Sequence, residues 1–223
     1  THGVVGRTGS GKSSLLLTLF RIVEIENSGS IEIAGIDIRS VSMGTLRDSL
    51  AIIPQEATLF AGSLAFNLDA TGKATAEEMW ESLEAASPDL ANQFRATGGL
   101  ETVISEGGGN LSQGERRLIC LARALLRKSK ILVLDEATSS VDAKTDRQVQ
   151  DTINRQFIKK GVSVMTVAHR LDTVLGYDKI AVLGDGELLE YGTPSDLLKV
   201  PNGQLRSLVD ADKENKRKGG NRV

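Results

Sequence analysis

The chain has 223 residues, 40% of them hydrophobic, with 27 Lys and Arg against 29 Asp and Glu; it can build a full core and carries no basic excess that would mark a nucleic-acid partner. Its single cysteine, Cys120, excludes an internal disulfide and fits a reducing compartment. No run approaches the ~18 apolar residues of a membrane span and no signal-peptide pattern opens the sequence, so the polypeptide by itself reads as cytosolic.

In chain order, "THGVVG" reads as the middle of a buried strand at residues 3–5, with no flanking strands ahead of it, so the sequence is expected to be a piece of a longer one. A glycine-rich loop leads into a helix from 12 to about 23, and short strands are expected near 30–34 and 51–53. From about 62 to 128 the pattern is helical, in "ATAEEMWESLEAA", "SPDLANQFRAT" and a long segment opening at Ser112, with no strand. Thr75 with Glu78, and Ser112 with Glu115, match the S/T-x-x-E capping box and fix two helix starts. Cys120 falls at an apolar helical position and should be buried, and "EGGGN" at 106–110 reads as a flexible joint.

The pattern then alternates: strand 130–134, helix 143–158, strand 162–167, a short helix after His169, strand 179–183, and a "GDGE" turn into a strand ending near Tyr191. The continuous apolar runs "ILVL" and "VSVMTV" suit parallel strands covered on both faces. The fold class is therefore α/β, a mainly parallel sheet with an inserted helical subdomain, and the loop "GRTGSGKS" between the first strand and the first helix makes it a P-loop NTPase core. The expected division is a core in two parts, 1–61 and 129–210, a helical subdomain at 62–128, and a basic tail at 211–223. From Lys213 on, the tail, with Lys216, Arg217, Lys218 and Arg222, lacks apolar residues before Val223 and should be frayed; lipid contact is the other use of those charges.

"GRTGSGKS", Gly6 to Ser13, fits G-x-x-x-x-G-K-[ST] at every fixed position, directly after a strand and before a helix. The glycines let successive backbone N–H groups of Gly6, Arg7, Thr8, Gly9, Ser10 and Gly11 turn inward, and the helix start adds partial positive charge. Lys12 then neutralises the β and γ phosphates of a bound nucleotide, and Ser13, followed by Ser14, is placed to hold Mg²⁺ through its hydroxyl. "ILVLDE" delivers Asp135 to a strand end, where a carboxylate can steady hydrated Mg²⁺, and Glu136 beside it can orient and polarise the attacking water. His169 also ends an apolar strand, where it either hydrogen-bonds the γ-phosphate or is structural. Gln55, after "AIIP", carries an amide that can reach metal or water or simply occupies a turn.

Together these residues resemble the nucleotide-binding domain of ATP-binding cassette (ABC) transporters, in order from residue 3 to about 208. The resemblance makes residues 6–14 a Walker A loop, Gln55 the Q-loop, "LSQGE" the signature motif, Asp135 and Glu136 the end of Walker B, "SSVD" the D-loop and His169 the H-loop. "SEGGGNLSQGERRLICLARALL" and "DEATSSVDAKTD" look most like the C subfamily, the multidrug resistance-associated type. In that group the second nucleotide-binding domain retains the catalytic glutamate, so Glu136 points to the C-terminal domain. The resemblance further implies a head-to-tail pair in which Ser112, Gln113 and Gly114 cover the ATP held by the other domain's Walker A loop. Gln113 and Glu115 depart from the usual LSGGQ; Glu115 is expected to face its own helix cap.

The implied activity is ATP hydrolysis coupled to export, with Glu136, His169 and Gln55 catalytic, and Ser13, Gln55 and Asp135 around Mg²⁺. The implied partners are a second nucleotide-binding domain and the transmembrane domains, with no nucleic acid, at the cytoplasmic face of a membrane; the fragment itself would be soluble. Phe60, Leu64 and Phe66 suit either a docking surface for the membrane part or local core. The alternatives are a regulatory module that binds ATP with little hydrolysis, weakly favoured by the altered signature, and a soluble ABC-type ATPase acting on DNA or ribosomes. The latter would need coiled-coil insertions or a basic surface.

Overall fold

Gly3, Val4 and Val5 are all buried, and they make β1 (His2–Gly6) an interior strand with a parallel neighbour on each side. In the computed structural model, which describes residues 1–26, 29–136, 143–168 and 170–219, the chain continues through α1 (Lys12–Leu19), β2 (Glu32–Ile33), β3 (Ile36–Asp37), α2 (Met43–Ser49) and β4 (Leu50–Ile53). There follow β5 (Gly62–Ser63), α3 (Leu64–Leu68), α4 (Ala76–Ala86), α5 (Pro88–Thr97), β6 (Val103–Ile104) and α6 (Gln113–Leu126). The order closes with β7 (Ile131–Glu136), α7 (Ala143–Gln156), β8 (Ser163–Ala168), α8 (Leu171–Val174), β9 (Lys179–Gly184), β10 (Glu187–Gly192), α9 (Pro194–Leu197) and α10 (Gln204–Gly219). The chain divides into two compact units, one of residues 1–47 and 165–223, the other of 48–164.

In the first unit, β1 pairs in parallel with β8, from His2 opposite Met165, and with β9, from His2 opposite Lys179 to Gly6 opposite Leu183. β10 runs antiparallel to β9. Val5, Val174, Ile180, Val182 and Leu205 are at most 1% exposed and form the centre of the core. Here α1 stops at Leu19, short of the expected end near 23. Arg21 takes a left-handed φ of 47°, its N–H donates to the Thr18 carbonyl and that of Ile22 to Leu17, the closure usually made with glycine. Arginine takes this place because its guanidinium donates to the carbonyls of Ile38 and Val41, both at 3.2 Å, which offsets a backbone cost of about 1 kcal/mol. At the other end of the unit, the Glu190 carboxylate accepts the N–H groups of Gln204 and Leu205 and so caps α10. The helix runs to Gly219 where an irregular tail was expected: Leu205 and Val209 bury its start, and the Lys, Glu and Arg that follow are good helix formers.

In the second unit, β4 and β7 pair in parallel, Leu50 opposite Ile131 through Ile53 opposite Leu134. Leu83, Phe94, Ile119, Leu121 and Leu132 are at most 2% exposed and bind α4, α5 and α6 to that pair of strands; Cys120 is buried among them, and burial pushes its thiol pKa up. Both expected capping boxes are present, Thr75 with Glu78 and Ser112 with Glu115. The expectation of no strand between 62 and 128 is corrected by a two-residue ribbon, Gly62 opposite Ile104 and Ser63 opposite Val103. The glycine run is also more tied than a free joint: Gly107 donates its N–H to the Leu59 carbonyl, and Asn110 Oδ1 accepts from the Ser105 N–H and hydroxyl.

The loop into α4 is built on Asp69, whose carboxylate accepts the Thr71 hydroxyl and the N–H groups of Thr71, Lys73 and Ala74. Burial alone would raise its pKa, but these hydrogen bonds outweigh that and lower it from the ordinary 3.8 to about 2. A depressed pKa in the folded state stabilises fully above pH ~4, and the stabilisation is lost as pH falls toward ~2. Because the group is largely solvent-screened, the expected worth is only about 1 kcal/mol. In urea titrations D69A should lie below the wild type by this amount at pH 7, and the gap should close near pH 2; a gap independent of pH would refute the assignment.

Candidate functional site

Gly6 ends β1 beside Leu183 of β9, so close that a Cβ there would collide with the Leu183 carbonyl oxygen and the Ser10 hydroxyl. The chain then turns through Arg7, Thr8 and Gly9, all exposed, and re-enters at Ser10, which is 3% exposed. The Ser10 N–H donates to the Arg7 carbonyl, and the Ser10 carbonyl accepts the N–H of Gly186, in the turn between β9 and β10. Gly11, at φ 97°, sits at the cap position of α1, where no side chain caps the helix and no acidic residue occupies the first turn. Lys12 is 5% exposed; its ammonium lies over the loop and donates to the carbonyls of Gly6 at 2.8 Å and Arg7 at 3.0 Å. Ser13 and Ser14 are exposed on the first turn.

These features fit a phosphate chain. A buried cation, a helix start without acidic groups, the buried Ser10 hydroxyl that has no hydrogen-bond partner, and open space where a Gly9 side chain would be are what a polyanion needs.

In the second unit, Gln55 follows β4 and Asp135 lies near the end of β7, and the parallel register brings them to the same end of the strand pair. Both line one cavity of about 10 Å³, together with Arg117 of α6 and Gln150 of α7. Gln55 is exposed and Asp135 half-buried. Glu136 is the last residue of β7. His169 and the segment 137–142, which includes "SSVD", lie outside the described residues. Among the described residues no three His, Cys, Asp or Glu cluster as a metal cage. The candidate donors Ser13, Gln55 and Asp135 offer only hard oxygens, the chemistry of a Mg²⁺ that keeps waters and phosphate oxygens as its other ligands.

The residues expected to form the signature motif open α6. Ser112 Oγ accepts the Glu115 N–H at 3.2 Å, and Glu115 Oε2 accepts the Ser112 N–H at 2.7 Å, so Glu115 does face its own cap. Its other oxygen accepts from Gln93 Nε2 at 2.7 Å. Partial burial works to raise the Glu115 pKa, but bonds from Ser112 and Gln93 outweigh it, so the net shift is downward. Ser112 and Gln113 remain exposed, and Gly114 packs on Thr145 of α7, whose hydroxyl would stand 3.2 Å from an added Cβ.

Residues 1–139 match the family described as ABC transporter. The chain belongs to the ABC transporter family. It is 51% identical over 201 residues to ATP-binding cassette sub-family C member 2 of Homo sapiens, covering 89% of this chain and 13% of that protein. ABC transporter C family member 8 of Dictyostelium discoideum is 48% identical over 210 residues, 94% of this chain and 13% of the relative. ATP-binding cassette sub-family C member 10 of Mus musculus is 44% identical over 217 residues, 97% and 14% respectively. The chain thus resembles C-subfamily members and spans 13–14% of the length of these three. Among solved structures, a bacterial Atm1-family ABC exporter with ATP bound superposes with a TM-score of 0.83 at 31% identity, over 95% of this chain and 36% of that one. The fold is the ABC-type P-loop fold, mostly parallel strands with helices, and the chain is an ATP-binding ABC domain.

Two contacts escaped sequence reasoning. Gly186 reaches Ser10 of the ABC Walker A loop from a distant turn, and nothing local signals that pairing. Arg117 looks like one more charge on an amphipathic helix, yet it pairs with Asp146 at 3.4 Å and lines the Gln55 and Asp135 cavity.

Proposed function

We propose that this domain binds and hydrolyses Mg-ATP as the second, C-terminal nucleotide-binding domain of a C-type ABC exporter, at the cytoplasmic face of a membrane. The observation that carries the reading is the Gly6–Ser14 loop, where the Lys12 ammonium is buried against backbone carbonyls at a helix start without acid. An incoming phosphate chain takes the place of those carbonyls on Lys12 and gains the loop N–H groups. When bound, Mg²⁺ supplies charge neutralisation between phosphate oxygens. Ser13 and Asp135 would hold it, with Gln55 linking the metal to the membrane part. Glu136 holds and polarises the attacking water, and His169 hydrogen-bonds the γ-phosphate. Catalysis on this reading is positioning and charge stabilisation. Retention of a glutamate at 136 supports the second-domain placement.

Ser112, Gln113 and Gly114 would cover the nucleotide of a second domain. The inward Glu115 supports this, since its charge is engaged by Ser112 and Gln93. Transmembrane domains would dock on a groove of about 630 Å³ in the second unit, where Phe60 and Phe66 are 54% and 44% exposed and meet edge to face, while Leu64 is core at 0%. In sedimentation, the chain carrying E136Q should shift from monomer to dimer only with Mg-ATP, and S112R should abolish the shift while ATP binding persists. A monomer at saturating ATP would remove the shared-site reading.

A further inference from the structure

Arg117 lies further along α6 than the signature residues, and its Nη1 is 3.4 Å from Asp146 Oδ1 in the first turn of α7; the two side chains are only 20% and 31% exposed. The first turns of the same helices also touch through Gly114 and Thr145, where an added Cβ would be 3.2 Å from the Thr145 hydroxyl. A Cβ there would require the Thr145 side chain to give by a few tenths of an ångström. The Arg117 side chain further lines the small cavity shared by Gln55, Asp135 and Gln150. One guanidinium therefore pairs the helix bearing Ser112 and Gly114 with the start of α7 and shares a cavity with the end of β7.

We infer that Arg117 is a positioning residue: it ties the signature helix to the first turn of α7 and to the strand end carrying Asp135, so that what Ser112–Gly114 contact in a neighbouring domain bears on the residues serving this domain's own nucleotide. The second half of this statement rests on the proposed function; the tie itself does not. Asp146 favours its place at the N-terminus of α7 independently of Arg117, so losing the pair loosens the junction without unfolding the helix. Lysine keeps the charge but not the planar fork, and retains most of the tie.

The test compares the full chain with R117M, R117K, D146N and the R117M/D146N double variant. Hydrogen exchange without nucleotide should be about fivefold faster in R117M and D146N at the amides of 143–147 and 131–136, the size expected for a partly exposed ion pair. R117K should lie within about twofold of the wild type, and the double variant should be no worse than D146N, which already loses both the pair and the charge at the helix start. With Mg-ATP, kcat should fall about tenfold in R117M with KM within about twofold, the split of an interaction used beyond ground-state binding. Unchanged exchange in R117M, or exchange accelerated evenly over the whole chain, overturns the tie. Local acceleration with wild-type turnover retained by R117M overturns its functional half. A wild-type chain that neither binds nor hydrolyses ATP, while R117M still loosens 143–147, leaves the tie standing and sinks the proposed function instead.

Discussion

E136Q should lower ATP turnover by about 10²–10⁴-fold while leaving Mg-ATP affinity within a few-fold of the wild type. Glu136 ends β7, a strand whose Leu132 and Val133 are fully buried, and the substitution removes the proposed base while leaving those core residues in place. Glutamine keeps the shape of the side chain but cannot take a proton from water. Single-turnover hydrolysis and equilibrium nucleotide binding, measured on the same preparation, separate the two effects. If turnover were unchanged, the attacking water would be activated elsewhere. If wild-type turnover were already at the level of E136Q, the regulatory-module reading would replace the hydrolytic one.

K12M should weaken ATP binding and cost a further 10²–10³-fold, approximately, in kcat, since one positioned cation on transferring phosphoryl oxygens is worth that much in a water-poor site. The starting geometry sharpens the expectation. Lys12 is already 5% exposed and fixed on the Gly6 and Arg7 carbonyls, so it pays little of the ordering cost that a mobile surface lysine would. Methionine fills the same space, and the thermal midpoint should stay within a few degrees of the wild type. ATP affinity equal to wild type would mean that the loop N–H groups alone hold the phosphates.

What could be read in the sequence was what local chemistry decides. Thr75 with Glu78 and Ser112 with Glu115 announce their helix starts because both partners of each box lie within one turn. The Walker A spacing could be read because strand, turn and helix there are consecutive. Elements set by distant partners could not. The ribbon Gly62–Ser63 with Val103–Ile104 is two residues long on each side, too short to show alternation. The early stop of α1 depends on Arg21 finding the carbonyls of Ile38 and Val41, far along the chain. α2 was missed although Ser42 caps it, accepting the Thr45 N–H at 3.1 Å, because Gly44 and Thr45 dilute its helical signal. In the site, Arg117 was hidden for the same reason: its partner Asp146 belongs to another helix.

The hairpin turn at Asp185 and Gly186 has the marks of a permissive tip, with both residues at positive φ and open space around Gly186. Such tips are where tags, dyes and inserted domains are usually placed. Here the Gly186 N–H is spent on the Ser10 carbonyl, so a label in this turn pulls on the Walker A loop itself. An engineer seeking a silent attachment point on the same unit would do better at Gly176, between α8 and β9, which is exposed, lacks a positive φ and where a side chain would meet nothing within 4 Å.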